Sequence, residues 1–174
     1  MIVKNLIRQN LGAVAGYNAK AERARSGQLL YSNVASVTPA DIEKEMGAVA
    51  ALRPRVLQPG VHMVLALHPA DVHKASDLLF MALVNEYRER MGLGMSQTVI
   101  WRHYDKPHPH IHGLFNRVTV DDTVVGMWNL KRKLEAFQRD MCQQHGLTEL
   151  VPDDFEQVHP ELGREVSAGM KCGF

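Results

Sequence analysis

The chain has 174 residues, 45% of them hydrophobic and 22% charged, which fits one globular domain with a real core and leaves too little length for two comfortable ones. Twenty Lys and Arg stand against 19 Asp and Glu, so the total charge announces no polyanion partner, although residues 1–60 carry eight basic and four acidic side chains and residues 146–174 carry two and six. No window reaches the ~18 apolar residues of a membrane span, and the two cysteines, Cys142 and Cys172, are too few and too far apart to imply a disulfide framework or a thiolate metal site, so a reducing cytoplasm fits.

Apolar alternation over Ile2–Ile7 predicts a first strand. The opening residues carry the Lys4, Arg8 and Ala-Val-Ala features of a signal peptide, but Arg8, Gln9 and Asn10 cut the apolar run to Leu11–Gly16, too short for its hydrophobic region. Gly12–Arg25 reads as an alanine-rich helix stopped by Gly27, and Gln28–Val34 as a short strand. Thr38 and Pro39 then open a helix as N-cap and first residue. Val61–Leu67 is a buried-strand pattern, and Ala70–Met91 is the longest helical one, closed by Gly92 and Gly94. Gln97–Tyr104 and His110–Val120 are β-rich runs joined by the turn Asp-Lys-Pro-His-Pro, which predicts an antiparallel pair. Asp121-Asp122 is a turn, and Trp128–His145 is a helix ending at Gly146. Strands and long helices alternate, yet the best-defined strands are antiparallel neighbours. The pattern therefore favours an α+β fold, a sheet with helices packed on one face, over a doubly wound sheet.

Four of the nine histidines fall between His103 and His112. Side chains two apart on a strand share a face, so His110 and His112 project together with Asn116 further along. His103, near the end of the partner strand, reaches the same spot, and three converging imidazoles make a metal site with open coordination positions. Asp105 and His108, in the turn, are placed to orient a liganding imidazole. His62, His68, His73, His145 and His159 are read as ordinary half-buried or surface residues. Taken literally, His103-Tyr104-Asp105 is also the start of a two-histidine-one-carboxylate triad of a non-haem iron oxygenase, although those sites normally sit in many-stranded barrels and this chain is rich in helices.

The run His103-x-Asp105-x-x-His108-Pro109-His110-Ile111-His112, followed by Asn116-Arg117-Val118, resembles the relaxase/mobilisation nuclease family within the HUH endonucleases, which nick DNA at an origin of transfer. The order around it also resembles that family: a strand, a helix carrying Tyr17, then "GVHMVLALHP", a long helix, the histidine hairpin and a late helix. The resemblance covers roughly residues 1–150, an expected relaxase domain, and leaves 151–174 as a C-terminal extension of uncertain structure.

The resemblance implies a central antiparallel sheet of about five strands with helices mainly on one face, a relative of palm and ferredoxin-like architectures, and an active site on the other face. It implies that His103, His110 and His112 are the metal ligands, Asp105 and His108 their supporting shell and Tyr17 the nucleophile, with Tyr31 the rival and Tyr87 and Tyr104 weaker ones. It also implies manganese or magnesium first, with zinc or nickel readily accepted, and single-stranded DNA at an origin of transfer as substrate. Accessory mobilisation proteins and a coupling protein are implied partners. Lys4, Arg8, Lys20, Arg23, Arg25, Lys106, Asn116 and Arg117 are candidates for contact with the strand. The reaction implied is transesterification through a 5′-phosphotyrosine link. A rolling-circle replication initiator or transposase with the same machinery, and a metal-containing DNA-binding module without catalysis, are the alternatives.

Overall fold

The computed structural model describes residues 1–149 apart from Ser36, so the extension expected over 151–174 lies outside the described residues. Five strands, β1 (Ile2–Arg8), β2 (Gly27–Ser32), β3 (Gly60–Ala66), β4 (Thr98–His103) and β5 (His110–Asn116), form one sheet in the order β1-β3-β5-β4-β2. Every neighbouring pair is antiparallel. The predicted α+β class and the predicted hairpin of β4 and β5 are both present. β3 and β5 are buried along their whole length, as strands are when a sheet is covered on both faces.

Cross-strand partners share a face. From β5, Ile111 and Phe115 join Met63 and Leu65 of β3 and Ile100 of β4 in the larger core. Over them lie α3 (Asp77–Met91), through Phe80, Leu83, Val84 and Tyr87, and α4 (Leu130–His145), through Phe137 and Met141. The opposite face has a second core, in which Val99, Trp101 and Leu114 of the sheet meet Leu11, Val14 and Ala15 of α1 (Leu11–Arg23) and Ile42 and Met46 of α2 (Pro39–Ala50). The helices thus divide between the faces where the pattern pointed to mainly one. Trp101, 1% exposed, shows why: a side chain worth about 3 kcal/mol or more of burial on that face needs a cover, and the Ala-rich stripe of α1 supplies part of it.

The local signals act largely where the sequence puts them. Asn10 caps α1 by accepting from Ala13 N at 2.7 Å, and Thr38 caps α2 with Pro39 in its first turn. The helix expected over Ala70–Met91 is interrupted. Pro69–Lys74 forms a 3-10 turn, Ala75 leaves helical geometry, and Ser76 caps α3 by accepting from Leu79 N. A serine hydroxyl satisfies a free helix N–H better as a cap than inside a helix, so the chain restarts there. The run expected to reach Val120 leaves the sheet after Asn116. The Asn116 side chain accepts from Val118 N, and Val118 pairs instead with Val124 across the turn that holds Asp121 and Asp122.

Candidate functional site

The histidines gather because of strand register. His103 is paired directly with His110 across β4 and β5, His112 lies two residues further along β5 opposite Trp101, and all three share the α1 side of the sheet. Their ligand nitrogens lie within 4.8 Å of one another, and all three residues are buried. The ring centroids of His103 and His112 are 4.3 Å apart, and those of His103 and His110 5.5 Å. Gly27 of β2 makes room for this packing: a Cβ there would lie 3.1 Å from His103 Cδ2 and 3.1 Å from Ala21 Cβ.

The donor set fits a divalent transition ion, because three imidazoles on one spot offer neutral nitrogen ligands and leave further positions open. Tautomers also fit. His110 Nδ1 lies 3.1 Å from the carbonyl oxygen of His108; a carbonyl only accepts, so Nδ1 carries the proton and Nε2 keeps its lone pair for an ion. Asp105, on the loop between the strands, sets Oδ1 3.3 Å from His110 Nε2 and 4.0 Å from His103 Nδ1. Its carboxylate is thus beside His110 Nε2, a nitrogen that could hold an ion, while His108, also buried, meets the cluster through its backbone carbonyl and a ring contact with His110 at 5.0 Å.

Tyr17 comes to this cluster from the other side. The buried stripe of α1 runs through Leu11, Val14, Ala15 and Asn18, and Tyr17 stands at its edge, 43% exposed. Its ring centroid is 5.6 Å from that of His112 and 6.1 Å from that of His103. The other three tyrosines lie elsewhere. Tyr31 is registered with Ile100 and packs against the α3–α4 core, on the opposite face. Tyr87 belongs to that core too, accepting a hydrogen bond from Asn5 at 2.6 Å, and burial pushes its phenol far above the usual tyrosine range. Tyr104 follows β4 with the Arg102 guanidinium 5.2 Å from its ring; that guanidinium also lies over Phe80 of the α3 side.

One member of the cluster was classed as ordinary from sequence. His62 of β3 is 4% exposed and shares a hydrogen bond of 2.9 Å between its Nε2 and His112 Nδ1, the ring centroids lying 5.2 Å apart. Burial, then Arg8 and His103, lower its pKa to about 3. The signal was present: a polar residue in the middle of the otherwise apolar "VHMVLA" strand has to find a polar partner once buried.

The basic candidates separate by position. Lys4 and Arg8 alternate on β1 with Ile2 and Leu6, and by pairing with Val64 and Gly60 they share the face of His62 and His112. Lys20, one helical turn beyond Tyr17, Arg23 and Arg25 are exposed at the end of α1, and Lys106 is half-buried on the loop beside Asp105. Asn116 and Arg117 are not brought to the three-histidine cluster. Asn116 lies four residues beyond His112 on β5, about 13 Å along the strand, where its buried amide donates to Met46 O and Gln97 Oε1 and Arg117 donates to Val125 O and Gln58 O.

Comparison with protein families matches residues 17–147 to the relaxase family described as MobA/VirD2-like, nuclease domain. Comparisons with curated proteins and with solved structures find no match. Among the described residues no helix is long and apolar enough to cross a membrane. The match begins at Tyr17 and encloses the whole histidine hairpin, and the chain belongs to the MobA/VirD2-like relaxases, a family of DNA-nicking enzymes.

Proposed function

We propose that this chain is a metal-dependent, strand-specific relaxase that cuts single-stranded DNA at an origin of transfer, with Tyr17 as nucleophile and His103, His110 and His112 as metal ligands. The observation that carries the reading is the approach of Tyr17: of the four tyrosines, it is the one whose ring lies beside the histidine cluster, 5.6 Å from His112, and its partial exposure leaves it open to a strand from solvent.

In the proposed reaction the Tyr17 phenol gives up its proton and its oxygen attacks the scissile phosphorus. The bond from phosphorus to the 3′ oxygen breaks, and that oxygen leaves as a 3′-hydroxyl after taking up a proton. The DNA 5′ end is left joined to Tyr17 as a phosphotyrosine, and attack by a 3′-hydroxyl reverses the step, so no energy source is consumed. A bound divalent ion, manganese or magnesium first and zinc or nickel also suited to imidazole, supplies stabilisation of the negative charge that grows on the phosphate oxygens. The protein's own groups do the rest. The histidines fix where the phosphate sits, and the Asp105 carboxylate, close to His110 and His103, adds a negative charge that favours a cation there. Arg8 and Lys4 on the same face, Lys20 and Arg23 along α1, and Lys106 on the loop attract the backbone. A free tyrosine phenol has a pKa of about 10, and positive charge beside it favours the phenolate that attacks.

Incubation of the protein with a pool of single-stranded oligonucleotides and manganese tests this. A protein–DNA adduct stable to denaturing detergent, lost with chelator and lost in Tyr17→Phe, is expected. Absence of any adduct with manganese, magnesium or zinc would leave a metal-containing DNA-binding module.

A further inference from the structure

We propose that His62 is a positioning residue for the histidine cluster, accepting a hydrogen bond from His112 Nδ1–H and so fixing the tautomer and tilt that present His112 Nε2 to the ion. The proposal rests on the metal-binding reading of the three histidines. It concerns a residue of β3 that lies outside the hairpin carrying the three ligands.

The geometry is specific. His62 is registered opposite Leu114, which puts it on the histidine face and diagonal to His112, the residue two before Leu114 on β5. The nitrogens are 2.9 Å apart, the ring centroids 5.2 Å apart and the rings inclined by only 29°, so the two rings meet edge to edge and nearly coplanar, as an in-plane N–H···N bond requires. An imidazole has one proton to place when neutral. If Nδ1 holds it, Nε2 has the lone pair that binds metal; if Nε2 holds it, the ring cannot ligate through that atom. A partner that accepts at Nδ1 therefore selects the binding form. His110 has such a partner in the His108 carbonyl, and His62 is the corresponding acceptor for His112.

His62 is suited to accept. It is buried in a strand whose other residues are apolar, and an uncharged imidazole there has one ring nitrogen able to accept. Being neutral, it orients His112 without adding negative charge to a pocket that has to receive a phosphate.

Calorimetric titration of the full chain with manganese, for the parent, His62→Leu and His62→Gln, tests the proposal. His62→Leu keeps the volume and the buried position but removes the acceptor, and should weaken manganese binding by about 10- to 100-fold. His62→Gln restores an acceptor oxygen near the place of Nε2 and should bind within about threefold of the parent. Parent-like affinity in His62→Leu, or an equal loss in both variants, would overturn the proposal, the second because shape rather than the hydrogen bond would then matter. If the parent itself binds neither manganese nor zinc, or His112→Ala binds as well as the parent, the metal site fails and not merely the role of His62. The zinc-loaded parent gives a reading that needs no variant. Nitrogen-15 correlation spectra of the rings should show His112 protonated at Nδ1 and coordinated through Nε2, and coordination through Nδ1 would contradict the assignment.

Discussion

His112 is the residue on which the site turns, because it touches both sides of the chemistry. Its ring packs 4.3 Å from that of His103, another of the three proposed ligands, and 5.6 Å from Tyr17. His112→Ala should reduce manganese affinity by at least about 100-fold while the far-ultraviolet spectrum is unchanged, since a ligand is lost but the strand is paired on both sides. Asp105→Asn offers the contrast. It keeps the shape and removes the charge 3.3 Å from His110 Nε2, so affinity should fall by about tenfold or less. Titration calorimetry on the two variants side by side reads both. The three-histidine cluster was legible in the sequence because strand alternation and a short turn dictate that His103, His110 and His112 share a face. His62 was not, since its partner lies 50 positions away and only the insertion of β3 between β1 and β5 brings them together.

At the scale of elements, the site depends on α1 holding Tyr17 over the sheet. The helix begins with one side-chain cap, Asn10 to Ala13 N, and has no acidic residue in its first turn. Asn10→Ala should cost about 1 kcal/mol of stability, read as a lowered urea midpoint, with a fall in adduct yield as the first turn frays. Strand existence, the caps at Thr38 and Gly146, and the hairpin followed from local pattern. The break at Ala75–Ser76 and the end of β5 at Asn116 did not. In each case a side chain takes a backbone hydrogen bond that a continuing helix or strand would have claimed, and periodicity alone does not reveal which competitor wins. The location of α1 and α2 on the face opposite α3 was hidden for a different reason. An apolar stripe says that a helix packs, but which face it packs on is decided by the order β1-β3-β5-β4-β2.

The molecule as a whole concentrates imidazoles between a sheet and a half-covering helix, and that has a consequence for its stability. The pKa of His62 is lowered in the folded state, from 6.5 to about 3, so between those values the unfolded chain binds the extra proton. The contribution of this group is therefore fully present above pH ~6.5 and is lost progressively as pH falls toward 3. Urea midpoints of the metal-free protein should fall between pH 7 and pH 4.5, and His62→Leu should flatten that slope; an equal slope in both proteins would remove His62 as the cause. The same arrangement, a buried histidine cluster with one tyrosine beside it, carries the central proposal that Tyr17 bears the DNA. Digestion of the covalent adduct and mass spectrometry of the modified peptide test it most directly. The predicted result is a nucleotide on Tyr17 in the parent and no adduct in Tyr17→Phe, whose manganese affinity stays within about twofold of the parent because only the phenolic oxygen is gone. A nucleotide on Tyr31 or Tyr104, or an adduct that survives Tyr17→Phe, would contradict it.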